Sequence, residues 1–254
     1  MLLAIDVGNS NIVLGVHDRT EWRHHFRIQT EVGKMPDEYM LTLTGLFEHA
    51  GDDLHNISLV VISSVVPSLT WTMEEALKRI MDVPVVRVSP ELELLVTLRT
   101  DHPEQVGSDL IANAQGAYER YRGACIIVDF GTALTFTAVS ADGEFRGASI
   151  APGLQTAAHA LSLETAQLPE VDLSMPGSVI GTNTTHALQS GVVIGYCGLA
   201  ERIISGMKDE LGGTVQVIAT GGLADAMARH IEAIDHVDPW LTLEGLRSIA
   251  YSNT

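Results

Sequence analysis

Residues 2–16 read LLAIDVGNSNIVLGV, and residues 125–139 read CIIVDFGTALTFTAV. An offset of 123 lays Asp6 on Asp129, Gly8 on Gly131 and Asn9 on Thr132. The same offset carries Glu21-Trp22-Arg23 onto Glu144-Phe145-Arg146. Each copy reads as an apolar strand, then Asp-x-Gly, then a second strand, a turn and a third strand. Asp142-Gly143 is a hairpin signal in the later copy. Two matches at one offset, close to half of the 254 residues, predict a duplicated domain, with residues 1–121 as the first copy and 122–254 as the second.

The rest of each half alternates helix and strand, which predicts an α/β architecture. Pro67 to Met81 reads as a helix with Ser68 as N-cap and with Glu74/Lys78 and Glu75/Arg79 as i,i+4 pairs. Leu59 to Ser64 is a buried strand, and Val215 to Thr220 is its counterpart, followed by Gly221-Gly222 and a helix from about Leu223. Ser108 to Arg120 reads as a helix with Ile111, Ala114 and Ala117 on one face. Gly153 to Leu161 and Thr184 to Leu211 also read as helices, the second broken near Gly195.

Composition excludes several function classes. With 46% hydrophobic and 19% charged residues, the chain has the makings of a packed core. Lys and Arg number 15 against 32 Asp and Glu, a formal net charge of −17. A surface that acidic repels phosphate backbones and anionic lipids, so neither nucleic acid nor membrane is an expected partner. Cys125 and Cys197 lie in no Cys-x-x-Cys pair, and the ten histidines form no ligand motif, so both cysteines are expected to be buried thiols and no zinc site is expected. Met1 to Asp6 lacks a basic n-region, and a cytoplasmic location is expected.

An Asp-x-Gly turn between strands lets a ligand approach the backbone closely, and its amides can donate to phosphate oxygens. An aspartate beside a phosphate needs a cation between them, and Mg²⁺ held by one or two carboxylates and nucleotide phosphates meets that need. Asp and Gly also make ordinary hairpin turns; a pair of such turns, each behind a buried strand, favours a polyphosphate site over that reading. No Walker or G-x-G-x-x-G motif is present. Ser63-Ser64 and Ser10 lack a nucleophile elbow, so a serine hydrolase has no support. Asp109 falls in the first turn of the predicted helix. It could serve the helix dipole, an effect below about 1 kcal/mol, or act as general base for a substrate hydroxyl. Position alone leaves both roles open.

The segments Asp6-Val-Gly-Asn-Ser-Asn11, Glu104-Gln-Val-Gly-Ser-Asp109, Asp129-Phe-Gly-Thr-Ala133, Ile150-Ala-Pro-Gly-Leu154, Ala166-Gln-Leu-Pro169, Ile180-Gly-Thr-Asn-Thr184, Gln189-Ser-Gly191 and Ala219-Thr-Gly-Gly-Leu223 follow one another in an order that resembles the motif series of type III pantothenate kinases. The resemblance implies duplicated ribonuclease H-like domains of the acetate-and-sugar-kinase/Hsp70/actin superfamily. It implies ATP-dependent phosphorylation of pantothenate to 4′-phosphopantothenate, the first step of coenzyme A synthesis, by a homodimer that needs Mg²⁺ and a monovalent cation, K⁺ or NH₄⁺. By the same resemblance the first ATP phosphate loop comprises Asp6, Val7, Gly8, Asn9, Ser10, Asn11, Ile12 and Val13, with Asp6 near Mg²⁺. Thr132 contacts ATP, and Asp129 ligates the monovalent cation. Gly107, Ser108, Asp109 and Leu110 line the pantothenate site, Asp109 is the proton acceptor, and Thr184 contacts substrate.

Three positions depart from the family pattern. Leu110 stands where an Arg usually follows the catalytic Asp, Thr100 where a Tyr commonly precedes the Asp-Asn-Pro segment, and Thr182 where Ile-Gly-Lys-Asn-Thr has Lys. All three lie in the acceptor half, and replacing an arginine fork at an anion site is not conservative. Two other readings therefore stand beside the first: a kinase of the same fold for another small hydroxyl compound, and a non-catalytic regulatory relative. The presence of Asp6, Asp109 and Asp129 together favours catalysis.

Overall fold

The computed structural model describes residues 1–254, which divide into two compact units. Met1–Arg120 and Leu241–Thr254 form the first, Tyr121–Trp240 the second. The first opens with β1 (Leu2–Val7), β2 (Asn11–His17), β3 (Trp22–Gln29), α1 (Pro36–Ala50), β4 (Leu59–Ser64), α2 (Pro67–Ile80), β5 (Val85–Arg87), the short β6 (Thr97–Leu98) and α3 (Ser108–Tyr121). The second holds β7 (Cys125–Phe130), β8 (Ala133–Val139), β9 (Glu144–Pro152), α4 (Leu154–Glu164), α5 (Thr184–Gln189), α6 (Gly195–Leu211), β10 (Gln216–Thr220), α7 (Ala224–Ala228) and β11 (His236–Val237). The last helix, α8 (Leu241–Ser252), returns to the first unit.

The strand order in the first unit is β3-β2-β1-β4-β5, with β1 antiparallel to β2 and parallel to β4. In the second it runs β9-β8-β7-β10-β11, with the same senses about β7. These are the two ribonuclease H-like sheets expected of the duplication. β1 and β7 are each buried at every position except the aspartate, Asp6 and Asp129. A central strand with neighbours on both sides and cover on both faces requires such an unbroken apolar run. β2 and β8 repeat each other's burial residue by residue.

The repeat is less uniform than one offset suggests. Val7 faces Ile12 across the first hairpin, leaving Gly8 to Asn11 in the turn, whereas Phe130 faces Leu134 across the second, leaving only Gly131 to Ala133. The next turn reverses the difference. His17 faces Trp22, but Val139 faces Phe145, so the Asp142-Gly143 turn carries one residue more than its counterpart. Both second hairpins have a register shift at the same place, Val16/His17 and Ala138/Val139.

Several local expectations change. The N-cap of α2 is Val66, with Pro67 at the first helical position, and not Ser68. A proline there has its ring angle already set for a helix and lacks only an amide that would be unpaired anyway. Neither i,i+4 pair forms: Lys78 Nζ lies 2.8 Å from Glu75, Arg87 takes Glu74, and Arg79 reaches Asp37 on α1. The long helix is not broken at Gly195. One π turn at Ser190–Ile194 joins α5 to α6. Both cysteines are buried and unbridged, and burial pushes the Cys125 thiol up to about 12. No helix is long and apolar enough to cross a membrane.

The largest correction concerns residues 241–254, expected in the second domain. α8 packs on β1 and β4 and buries Leu241, Leu243, Leu246 and Ile249. Each such side chain contributes roughly 1.5–3 kcal/mol of burial. α8 crosses α3 at two glycines: a Cβ on Gly245 would stand 1.8 Å from the Ala112 carbonyl oxygen, and one on Gly116 2.7 Å from that of Leu241. Buried Gln115 donates to Ser248 Oγ (3.0 Å), and Thr242 Oγ1 to Asn113 (2.8 Å). The apolar face of α8 thus finds its partners in the first sheet and in α3.

Candidate active site

Asp6 lies one residue from the end of β1, in register with Val13 on β2 and Ser63 on β4. The chain then turns at Gly8, whose amide donates to the Asn11 carbonyl (3.0 Å). Thr30, just past β3, holds the turn from behind: its amide donates to the Ser10 carbonyl (3.0 Å) and its hydroxyl to the Gly8 carbonyl (2.7 Å). Asn9, Ser10 and Asn11 stand exposed, while Val7 and Ile12 are buried in the apolar core of this unit. The expected phosphate loop therefore divides. Its tip can meet a ligand, whereas the Val7 and Ile12 side chains only anchor it.

In the second turn, Gly131 N donates to the Ala133 carbonyl (3.2 Å). Gly153, at the place of Thr30, donates its amide to the Thr132 carbonyl (2.9 Å), and Thr156 Oγ1 donates to the same oxygen (2.7 Å). Thr132 thus corresponds to Ser10, and not to Asn9 as the constant offset had it. Chain approach is much closer here: a Cβ on Gly153 would lie 2.2 Å from the Gly131 carbonyl oxygen. The Asp129 carboxylate sits among glycines. A Cβ on Gly221 would be 2.3 Å from Asp129 Oδ1 and 2.8 Å from the Phe130 backbone, and one on Gly131 3.4 Å from the same oxygen. Gly221 also has φ +91, which side chains rarely adopt.

Asp109 occupies the first turn of α3 in the first unit. Its Oδ1 accepts the Leu110 amide (2.8 Å). Burial pushes the carboxyl upward, opposed in part by the Leu110 and Asp109 amides. An ionised carboxylate with a raised affinity for protons suits a general base. Gly107 leaves room for it, since a Cβ there would fall 2.5 Å from Asp109 Oδ1. Leu110 points inward, 8% exposed. Ser108 Oγ accepts the Ser64 amide at 2.9 Å, so the start of α3 is tied to the end of β4.

Thr184, Thr182 and Asn183 are exposed at the start of α5 in the second unit, where Asn183 caps the helix through the His186 amide (2.9 Å). Thr100 Oγ1 is buried without a hydrogen-bond partner. The structure thus gathers Asp6, its turn and Asp109 on the first unit, and Asp129 and Thr132 on the second. Thr30, Ser63, Gly153 and Gly221 belong to these clusters but were not read as site residues. The repeat itself could have pointed to Thr30 and Gly153, which share the offset of 123.

Comparison with known proteins decides the family. A family model described as type III pantothenate kinase matches residues 2–206. Type III pantothenate kinase of Moorella thermoacetica is 44% identical over 254 residues, covering all of both chains. The chain belongs to the type III pantothenate kinase family. That of Myxococcus xanthus is also 44% identical, over 98% of this chain and 97% of its own. Among solved structures, a Campylobacter jejuni protein assigned to the Baf family of transcriptional activators superposes with TM-score 0.62 at 20% identity, over 99% of this chain and 98% of its own. A ROK family glucokinase from Streptomyces griseus, in complex with glucose and AMPPNP, gives TM-score 0.56 at 17% identity, over 98% and 99%. These structural likenesses show the acetate-and-sugar-kinase/Hsp70/actin fold. As a member of a kinase family, the chain uses ATP and acts on a small molecule.

Proposed function

We propose that this protein transfers the γ-phosphoryl group of ATP to the 4′-hydroxyl of pantothenate, opening coenzyme A synthesis. The observation that carries this reading is the Asp109 carboxylate, fixed at the start of α3 with its proton affinity raised by burial, in a chain similar over its full length to pantothenate kinases. Asp109 accepts the hydroxyl proton as the acceptor oxygen bonds to phosphorus and the bond to the ADP oxygen breaks. The exposed tip Asn9–Asn11 and Thr132 orient the phosphates. Asp6, one residue from the end of β1 and beside that tip, is the carboxylate that would hold Mg²⁺. Asp129, whose Oδ1 lies against Gly131 and Gly221, is the carboxylate that would hold the monovalent cation. Such cations, when bound, neutralise charge on the phosphates. Positioning and electrostatics supply most of the acceleration.

The protein is further proposed to work in the cytoplasm as a homodimer. Ile150, Leu163, Val179 and Ile180, all on the second unit, are 69–81% exposed and would gain from cover by a second copy. Leu110 keeps a second reading in view, because its buried side chain offers an acceptor no charge.

The test is ADP release from ATP and Mg²⁺ with pantothenate, in K⁺ buffer and then in Na⁺ buffer. K⁺-dependent turnover is expected, with kcat/KM falling as pH drops through a midpoint above the ordinary carboxylate range, because a protonated Asp109 cannot accept a proton. Turnover with another hydroxyl compound but not with pantothenate would transfer the assignment to that acceptor. ATP binding with no turnover on any acceptor would favour a regulatory relative.

A further inference from the structure

Ser63 and Ser64 end β4, and the function described above does not use them. Ser63 is fully buried (0% exposed), an unusual place for a hydroxyl, and lies in register with Asp6. Its Oγ is 3.0 Å from Ser108 Oγ. Ser108 Oγ also accepts the Ser64 amide at 2.9 Å and donates to the Ser64 carbonyl at 3.2 Å. A serine hydroxyl has one hydrogen and two lone pairs. With its hydrogen on the Ser64 carbonyl, Ser108 accepts from the Ser64 amide and from Ser63, so Ser63 must be the donor in that pair. All three valences are then filled by protein, and none is left for a substrate. The Ser108 side chain is thus spent on Ser63 and Ser64, within the segment proposed to line the acceptor site.

We infer that Ser63 and Ser108 form a buried hydroxyl clasp that locks the Asp109 carboxylate beside the tip of the Asp6 strand, making both serines positioning residues for phosphoryl transfer. Only Val106 and Gly107 separate a 3₁₀ turn at Pro103–Gln105 from α3, and the clasp sits immediately before Asp109. On the other side, Gly107 leaves space for the carboxylate that a Cβ would take. The carboxylate is therefore held by what surrounds it, without a charged partner that would draw its proton affinity down. A misplacement of about 1 Å in such a group can cost up to about a hundredfold in rate.

This inference rests on Asp109 being the proton acceptor of a pantothenate kinase, and its test separates the two. The variants are Ser63→Ala, Ser63→Thr, Ser108→Ala and the double alanine, each assayed for kcat, for KM of ATP and for thermal unfolding beside the wild type. Thr220 occupies the matching register position beside Asp129, so a threonine at position 63 has a precedent in the second sheet. Ser63→Ala should lower kcat about tenfold while KM for ATP stays within about twofold, and Ser63→Thr should restore at least half the wild-type kcat. The double variant should be no slower than Ser108→Ala, because one clasp is lost once. Wild-type kcat in Ser63→Ala, an equal loss in Ser63→Thr, or a kcat loss that only tracks a lower fraction of folded protein overturns the clasp and leaves the function standing. A wild type that releases no ADP with pantothenate overturns both.

Discussion

The two turns that follow β1 and β7 share a scaffold and differ in how the chain behind them is used. Each begins with an aspartate and a glycine and is gripped from behind by the residue just past the third strand. In the first this is Thr30, whose hydroxyl reaches the Gly8 carbonyl at 2.7 Å. In the second it is Gly153, and the Gly131 carbonyl comes so close that even a methyl group would not fit. The first turn is one residue longer, and Thr30 latches it with both its amide and its hydroxyl. The second is tighter: Gly153 gives only its amide, and the hydroxyl comes from Thr156. Only the first half adds α3 and α8, and only α3 carries a candidate base. One sheet design thus appears twice with an Asp-x-Gly turn at its edge, and once with a buried carboxylate on a helix beside it.

The sharpest way to break that comparison is at the helix pair the second half lacks. Gly245→Ala drives a methyl into the Ala112 backbone and should cost about 3 kcal/mol, the upper range for overpacking. Thermal unfolding would show it, and a wild-type melting temperature would mean that α8 is not held as described. Gly153→Ala should come next, at about 2 kcal/mol, with a several-fold rise in KM for ATP because the second turn must shift; steady-state kinetics and melting read both. Asp129→Ala should retain some turnover but lose its stimulation by K⁺ over Na⁺, and a variant still activated by K⁺ would move that ion elsewhere. Thr30→Val should have the smallest effect, about 1 kcal/mol for one hydrogen bond. If Thr30→Val proved as damaging as Gly153→Ala, the two latches would not differ in kind.

Much of this was legible in the chain, and the rest was hidden for physical reasons. The apolar runs Leu2–Ile5 and Cys125–Val128 announce central strands because burial on both faces permits no polar residue. The deletion at Gly131–Ala133 and the insertion near Gly143 cancel, so a constant offset passes over both and leaves β2 and β8 out of step by one. α8 looks like any amphipathic helix, and nothing within Leu241–Ser252 names the sheet it will cover. Its pairing with α3 depends on Gly116 and Gly245 meeting across 129 residues of chain. The clasp was illegible for the same reason: Ser63 and Ser108 are 45 residues apart and form no motif. Asp109 was legible only as one of two roles, and the folded surroundings of its carboxyl favour the base.

The central claim is that Asp109, in the first unit, serves as the base for phosphoryl transfer and not as a nucleotide ligand. Asp109→Asn tests it most directly, with turnover followed by ADP release and ATP affinity by calorimetry on the same preparation. The account predicts a loss of about a thousandfold in kcat with ATP affinity within about threefold of wild type. Turnover near the wild-type rate would contradict it.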